Sequence, residues 1–234
     1  MSCLCKDIAG DDIELSPTCI GNLWIFENLA PEDIQSLSKK ALRKKMKKGE
    51  TVFMQGDSAD EMFLIKGGRI KLTKVLENGT ELMLDLRKAG DFVGENMFSE
   101  EGEYPVSAVC LEDTLTCGFT RSQFEDLVLK HPAVGLQVIK TLSERISWLT
   151  TRVGNLAVTN IEDRLYRVLS NVAKEHGAKG PKGVVIQFPL THEDLSFLTG
   201  AHRVTVTRAM KALKEAGKII LEDRLLILPA LSIT

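Results

Sequence analysis

A helix-turn-helix pattern near the C-terminus carries the clearest chemistry in this sequence. Thr191 is a suitable N-cap for a short helix, and Gly200 supplies a turn after it. A second helix is predicted from about His202 to Ala216, where Gly217 ends it. Two helices joined by so short a turn are typical of proteins that place the second helix in the major groove of DNA.

The second predicted helix has two chemically different faces. Val206, Met210 and Leu213 share one face, which must be its packed side. The candidate DNA-binding residues on the other face and at the helix ends are Thr191, His202, Arg203, Val204, Thr205, Thr207, Arg208 and Lys211. Arginine can bond guanine with two hydrogen bonds, threonine and lysine can hold phosphates, and Val204 can contact a thymine methyl. The alternative is an ordinary amphipathic helix with a solvated basic side.

Three other segments must position that helix. Between Lys48 and Thr120, frequent glycines separate β-rich runs at Glu61–Ile65, Arg69–Val75 and Glu81–Leu86, which predicts an antiparallel roll or barrel. A long helix from about Pro132 carries apolar residues at alternating spacings of three and four, which are Ile139, Leu142, Ile146, Leu149, Val153 and Leu156. Such a seam predicts a homodimer, and the alternative is a helix packed on its own roll.

The remaining elements follow the long helix. Gly154-Asn155 is predicted to interrupt it as a hinge, and another amphipathic helix spans Ile161–His176. The stretch from Gly177 to Gly183 is predicted to be a loop, and Lys218–Leu228 is predicted to be the β-hairpin of a winged helix. The fold class is α+β. The predicted domains are an arm with cysteines (1–22), a β-roll (23–130), a dimerisation helix with hinge (131–158) and a winged helix-turn-helix (159–234).

Composition narrows the classes of function. The 234 residues are 44% hydrophobic and 26% charged, as in ordinary soluble proteins, and we expect a cytoplasmic protein because secretion-signal and membrane-span patterns are not evident. The net charge is +3 after residue 159 and −5 before it. No nucleophile elbow, phosphate loop or catalytic triad is recognisable, so we expect no enzyme activity. A regulatory roll attached to a kinase or channel is a rival, but the helix-turn-helix follows the roll directly.

Several separate segments match one known family in order. They are Gly94-Glu95, Ser99-Glu100-Glu101-Gly102, Val153 to Ala157, Glu162 to Leu165, and Gly200 to Arg208. On these segments the chain resembles the cyclic AMP receptor/fumarate-nitrate reductase regulator (CRP/FNR) superfamily of transcription regulators. The resemblance implies a cyclic-nucleotide-binding-type roll, a homodimer on palindromic promoter DNA, and RNA polymerase as a partner. Many members have glutamate where this chain has Val204, so we expect a distinct, thymine-richer site. The second helix looks closer to that of the regulators of reductive dehalogenation.

The resemblance also implies an effector pocket. Its residues would be Gly94, Glu95, Pro105, Val106, Ser107, Leu149 and Thr150. Pro105 stands where the family's phosphate-binding arginine belongs, and Leu149 replaces a polar residue that faces the adenine. A buried phosphate needs a cation, so these two changes argue against cyclic AMP. Control by a nucleotide remains the alternative.

Five cysteines in a chain without an evident export signal suit a reducing compartment. The candidate iron-sulfur ligands are Cys3, Cys5, Cys19 and Cys117, the last because the resemblance places a fourth ligand there. The spacing in the arm is looser than that of the family's oxygen sensors, and Cys110 and Cys117 could instead be buried as small hydrophobes. The alternative signals are a dithiol switch between arm cysteines, haem and a small organic anion.

Overall fold

The computed structural model describes residues 41–188, 190–222 and 225–229, in two compact units that meet between Glu144 and Arg145. The predicted arm, with Cys3, Cys5 and Cys19, lies outside the described residues, as does the side chain of Leu156. The predicted domain limits at 22, 130 and 158 stay predictions. None of the described helices is both long and apolar enough to cross a membrane.

The first unit contains the predicted β-roll. Its strands are β1 (Leu42–Met46), β2 (Thr51–Phe53), β3 (Glu61–Gly67), β4 (Arg69–Val75), β5 (Glu81–Lys88), β6 (Phe92–Val93), β7 (Ser107–Cys110) and β8 (Thr114–Thr120). They form two antiparallel four-stranded sheets, in the orders β1-β8-β3-β6 and β2-β7-β4-β5. All three predicted β-rich runs are strands, so the prediction of an antiparallel roll is confirmed.

Local sequence explains the best-defined hairpin and the core of the roll. At the β4–β5 turn, Gly79 has φ of 80° and the backbone N–H of Thr80 donates to Asn78 Oδ1 at 3.0 Å. A positive φ favours glycine, and the asparagine side chain replaces a missing backbone partner. The apolar core includes the fully buried Leu64 of β3 and Leu115 of β8.

Two helices follow the roll, α1 (Arg121–Lys130) and α2 (Pro132–Leu156). The predicted interruption of the long helix at Gly154-Asn155 is wrong, because α2 continues through both residues to Leu156. A glycine weakens a helix by about 1 kcal/mol but does not break it. The break lies at residues 157–160, where Asn160 caps the next helix by accepting hydrogen bonds from the N–H groups of Glu162 and Asp163.

The second unit is a winged helix-turn-helix. After α3 (Ile161–His176) come β9 (Ala178–Gly180), β10 (Gly183–Ile186), α4 (His192–Thr199), α5 (Arg203–Glu215), β11 (Ile220–Glu222) and β12 (Leu225–Leu228). The four strands form one antiparallel sheet in the order β11-β12-β10-β9. The predicted C-terminal hairpin is confirmed as β11–β12.

The prediction of a loop from Gly177 to Gly183 is wrong, because β9 and β10 form a second hairpin there. The glycines of this hairpin allow close approach between backbone segments. Gly183 has φ of 130°, and a Cβ at that position would lie 2.3 Å from the carbonyl oxygen of Leu228. Glycine composition alone does not distinguish a tight hairpin from a loop, since both use residues without a side chain.

Candidate nucleic-acid interface and effector region

The helix-turn-helix is fixed by two local devices. At the start of α4, the Thr191 hydroxyl accepts a hydrogen bond from the N–H of Asp194 at 3.0 Å, and the Asp194 carboxylate accepts one from the N–H of Thr191 at 2.9 Å. This capping box satisfies two N–H groups that the helix itself leaves without partners. At the other end, Gly200 adopts the left-handed conformation with φ of 63°, which turns the chain toward α5.

The buried face of α5 is the predicted one. Val206, Met210 and Leu213 are all buried, and Ala209 joins them. They share the core of the second unit with buried residues of α3 and α4 such as Leu165 and Leu195. This packing leaves the opposite face of α5 in solvent.

The predicted DNA-binding residues of α5 lie on that open face. At 3.6 residues per turn, the positions of Arg203, Val204, Thr207, Arg208 and Lys211 span about 140° of the helix circumference, and all five residues are exposed. His202 and Thr205 are also exposed but lie to either side of this stripe, and Thr191 belongs to α4. The structure therefore brings together five of the eight candidates as one surface, hereafter the reading face.

Two contacts that the sequence analysis missed join α4 to the reading face. His192 Nδ1 lies 2.9 Å from Thr207 Oγ1, and Thr207 Oγ1 donates to the backbone oxygen of Arg203 at 3.0 Å. The carboxylate of Glu193 lies 3.8 Å from Arg203 Nε. His192 and Glu193 are separated from α5 by the turn, so no periodicity within either helix reveals the contacts. The Thr207 hydroxyl, expected to hold a phosphate, already has two partners within the protein.

The apolar seam of α2 is open in the single chain. Ile139, Leu142, Ile146, Leu149 and Val153 are each at least 43% exposed. Val134 and Val138, on the neighbouring part of the helix circumference, pack against the roll core. Among the described residues of the first unit, Ile139 and Leu142 therefore stay exposed although α2 packs on the roll.

In the roll, the predicted effector residues Gly94 and Glu95 lie at a buried ionic network. Arg87 donates to Asp85 Oδ2 at 2.8 Å through Nε, to Glu95 Oε1 at 2.9 Å through Nη2, and to the carbonyl oxygen of Phe92 at 3.2 Å through Nη1. Asp85 and Arg87 are buried and Glu95 is half-buried. Two carboxylates therefore share one guanidinium.

Gly94 itself has φ of 89° and begins the short 3-10 helix Glu95–Phe98. A Cβ on Gly94 would lie 2.7 Å from the carbonyl oxygen of Glu61, closer than real Cβ atoms approach backbone. The glycine is therefore needed for the approach of this turn to β3, whether or not a ligand binds there.

In the loop Tyr104–Ser107, where the resemblance places a phosphate, the side chains of Tyr104 and Ser107 contact other parts of the protein. The ring of Tyr104 stacks on Phe53 with 3.9 Å between centroids, and its hydroxyl donates to the carbonyl oxygen of Glu61 at 2.6 Å. Burial raises the pKa of this phenol. The Ser107 hydroxyl accepts from the N–H of Gln55 at 2.9 Å. Pro105 and Val106 lie between Tyr104 and Ser107 in the chain. Neither side chain is a cation, and the proline has no backbone N–H.

This region does not fit a cyclic nucleotide phosphate. Arg87 is the guanidinium bonded to Glu95, and three of its five N–H donors serve two carboxylates and a carbonyl. A phosphate would add negative charge to a group that already carries an excess of one. Leu149 and Thr150 belong to the other compact unit, where the Thr150 hydroxyl donates to the carbonyl oxygen of Ile146 at 2.9 Å.

Of the four predicted cluster ligands, only Cys117 lies among the described residues. Cys110 and Cys117 form no disulfide among the described residues, and both are buried in the apolar core of the roll. Burial raises the pKa of Cys110, which disfavours the thiolate that binds metal. Among the described residues no group of three or more histidine, cysteine or acidic side chains is suited to a metal ion. The predicted ligands Cys3, Cys5 and Cys19 lie outside the described residues, so the cluster as a whole stays a prediction.

Comparison with known protein families decides the relationship. The model of the cyclic nucleotide-binding domain matches residues 43–131, and that of the Crp-like helix-turn-helix domain matches residues 163–231. The chain belongs to the CRP/FNR superfamily. Its members are DNA-binding transcription regulators rather than enzymes, and this chain is a regulator of that type.

Relatives within the superfamily differ in the signal that their names mention. The chain is 29% identical to the anaerobic regulatory protein of Bacillus subtilis, over 82% of this chain and 84% of the relative. It is 27% identical to the cyclic AMP receptor protein of Thermus thermophilus, over 83% and 87%. The structure of a CooA mutant from Carboxydothermus hydrogenoformans has a TM-score of 0.70 and 23% identity, over 92% and 94%, and shares the fold.

Proposed function

We propose that this CRP/FNR regulator acts as a homodimer that binds a palindromic promoter site through the two reading faces, under the control of an effector. The observation that carries the proposal is the open seam of α2. An exposed apolar stripe of this length on a regulator is explained if a second copy covers it. The reading face then follows as the surface that the dimer presents to DNA.

The residue types along the seam favour a parallel two-stranded coiled coil. With Ile139 as heptad position a, the other a positions are Ile146 and Val153, and the d positions include Leu142 and Leu149. β-branched residues at a and leucine at d favour two parallel helices. The e positions Ser143 and Thr150 are uncharged, so no like charges oppose the pairing there.

A parallel dimer has a two-fold axis, and its DNA site should share that symmetry. Each half-site would receive one reading face, with the centres of the half-sites about 34 Å or one helical turn apart. Within the described residues Arg208 forms no ion pair, so its guanidinium is available for guanine. Val204, which is 63% exposed, presents an apolar side chain for a thymine methyl.

The effector is best assigned to a class that does not depend on phosphate recognition. The Arg87 network and the filled loop at Tyr104–Ser107 support this choice. Redox control, as the name of the Bacillus relative suggests, and a small organic molecule remain the candidates, with RNA polymerase as the expected partner in transcription. The second candidate is cyclic nucleotide control, which the matched domain family and the Thermus relative favour. Cyclic AMP at millimolar concentration should leave the thermal melting temperature unchanged, and a rise of several degrees would select the second candidate.

The effector would act through the continuous helix α2. This helix contributes Pro132–Glu144 to the first unit and the remainder to the second. A change in the pairing of two such helices would therefore reach the DNA-binding helices of both copies, through the break in the helix at residues 157–160 rather than at Gly154.

Enrichment of randomised duplex DNA by the full-length protein tests the proposal. The expected product contains two inverted half-sites, and sedimentation of the free protein should give the mass of two chains. A monomer in solution together with a single unrepeated half-site would contradict it. Cycles run with air-exposed protein and with protein kept free of oxygen separate redox control from the other signals.

A further inference from the structure

The geometry points to His192 and Thr207 as positioning residues that set how well the reading face discriminates its site from other DNA. The inference rests on the proposed function, because it concerns the same reading face. It differs from the expectation that Thr207 holds a phosphate. It is carried by the contact of His192 with Thr207 and by that of Thr207 with the backbone of Arg203.

Arg203 has a hydrogen bond at its backbone and a loose ion pair at its side chain. Its carbonyl oxygen accepts from Thr207 Oγ1 at 3.0 Å, in addition to its place in the helix, and its guanidinium lies 3.8 Å from the Glu193 carboxylate. Thr207 is in turn joined to His192 at 2.9 Å. The first turn of α4 therefore contacts α5 at two positions one turn apart.

The hydrogen-bond inventory of a hydroxyl fixes the direction of these contacts. With the one hydroxyl proton of Thr207 directed at the carbonyl oxygen of Arg203, the hydroxyl accepts from His192 in the tautomer that carries a proton on Nδ1. With its proton engaged and one lone pair used, the hydroxyl has no proton left for a DNA phosphate. Thr207 therefore acts as a link between the two helices rather than as a DNA contact.

A link at this place affects specificity more than total affinity. Base recognition by arginine depends on a fork of two hydrogen bonds whose geometry is narrow, whereas phosphate attraction tolerates displacement. Loosening α5 against α4 should therefore weaken binding to the selected site and leave binding to unrelated DNA nearly unchanged. A residue that held a phosphate would affect both kinds of DNA by the same factor.

The test uses the full-length protein, the duplex enriched by the unmutated protein, and a scrambled duplex of equal length. Thr207→Val keeps the branched shape and removes the hydroxyl, and Thr207→Ser keeps the hydroxyl. We expect Thr207→Val to weaken binding to the enriched duplex about fivefold to tenfold, the scale of one lost hydrogen bond, with scrambled DNA unaffected and Thr207→Ser close to the unmutated protein. His192→Phe should give the same loss, and the double variant should lose little more than either single variant.

Each other outcome has a definite meaning. Equal losses on both duplexes would overturn the inference in favour of a phosphate contact, and unchanged affinity on both would overturn it outright. Additive losses in the double variant would show that the two residues act separately, which also overturns it. If the unmutated protein enriches no sequence at all, the proposed function fails, and this inference fails with it; that result is distinct because it precedes the variants. Thermal melting of each variant checks that a loss does not come from unfolding.

Discussion

The reading face and the effector region of the roll use their charged side chains in opposite ways. On the reading face Arg203, Arg208 and Lys211 are exposed, and the ion pairs that the structure shows for Arg203 and Lys211 are loose, at 3.8 Å. In the roll, Arg87 is buried and bonded at 2.8 and 2.9 Å to two carboxylates. The first arrangement leaves cations exposed to an anion from outside the protein. In the second, the cation is paired with carboxylates of the protein itself.

The difference bears on what each region can recognise. Loose surface pairs contribute little to stability, so they can be exchanged for DNA phosphates and bases at small cost. A buried network is strongly destabilised when one member loses its partners, so a ligand cannot take Arg87 without replacing two carboxylates. The reading face therefore presents exposed cations, whereas the buried cation of the roll is already paired with two carboxylates.

The largest expected effect tests whether the seam brings two reading faces together. Ile146→Asp places a charge in the middle of the seam, where Ile146 is 64% exposed in the single chain. We expect a monomer by sedimentation and a loss of more than about 100-fold in affinity for the enriched duplex, since one reading face alone retains only half of the contacts. Thr151→Asp adds the same charge on an exposed position off the seam and should leave mass and affinity unchanged. An Ile146→Asp variant that stays dimeric would show that the seam is not the dimer interface.

The next effect tests the closed network of the roll. Arg87→Met removes the shared cation and leaves Asp85 buried without it, which should lower the free energy of unfolding by about 3 to 5 kcal/mol. Lys47→Met removes a cation from an exposed pair with Asp113, and should change the free energy of unfolding far less because solvent screens the pair. Urea denaturation measures both. Equal losses would mean that the contrast between the two regions is not energetic.

A smaller effect tests the open side of the comparison. Arg208→Ala should weaken binding to the enriched duplex by about 1 to 3 kcal/mol and relax the base preference at one position of each half-site. Lys174→Ala removes the same charge from the exposed surface of α3 and should change neither. Fluorescence anisotropy with the enriched and scrambled duplexes measures the effect. Equal binding of both duplexes by the unmutated protein would remove the premise.

The smallest effect concerns the filled loop of the roll and depends on pH. Tyr104→Phe removes the hydrogen bond to the Glu61 carbonyl and should cost about 1 kcal/mol in the free energy of unfolding at pH 8. Because burial raises the pKa of Tyr104, its contribution is complete below the ordinary tyrosine pKa of about 10 and is lost as the pH rises above it. Urea denaturation at pH 8 and at pH 10.5 should therefore show a smaller difference between variant and unmutated protein at the higher pH. A difference that grows with pH would contradict the buried phenol.

Elements governed by local periodicity were predictable from the sequence. The strands at Arg69–Val75 and the two faces of α5 follow from alternation and helical spacing. The continuation of α2 through Gly154 and the hairpin at Gly177–Gly183 were not predictable. A glycine is compatible with helix, hairpin and loop, and tertiary contacts decide among them. The contacts of Arg87 with Glu95 and of His192 with Thr207 were not predictable either, because in each pair the two partners lie on different elements.

The mass of the complex between the full-length protein and its enriched duplex tests the central claim most directly. Native mass spectrometry should show two chains on one duplex that contains two inverted half-sites, and one chain on a duplex cut to a single half-site should bind far more weakly. One chain bound with full affinity to the intact duplex would contradict the account, because neither the open seam of α2 nor a palindromic site would then have a role in recognition.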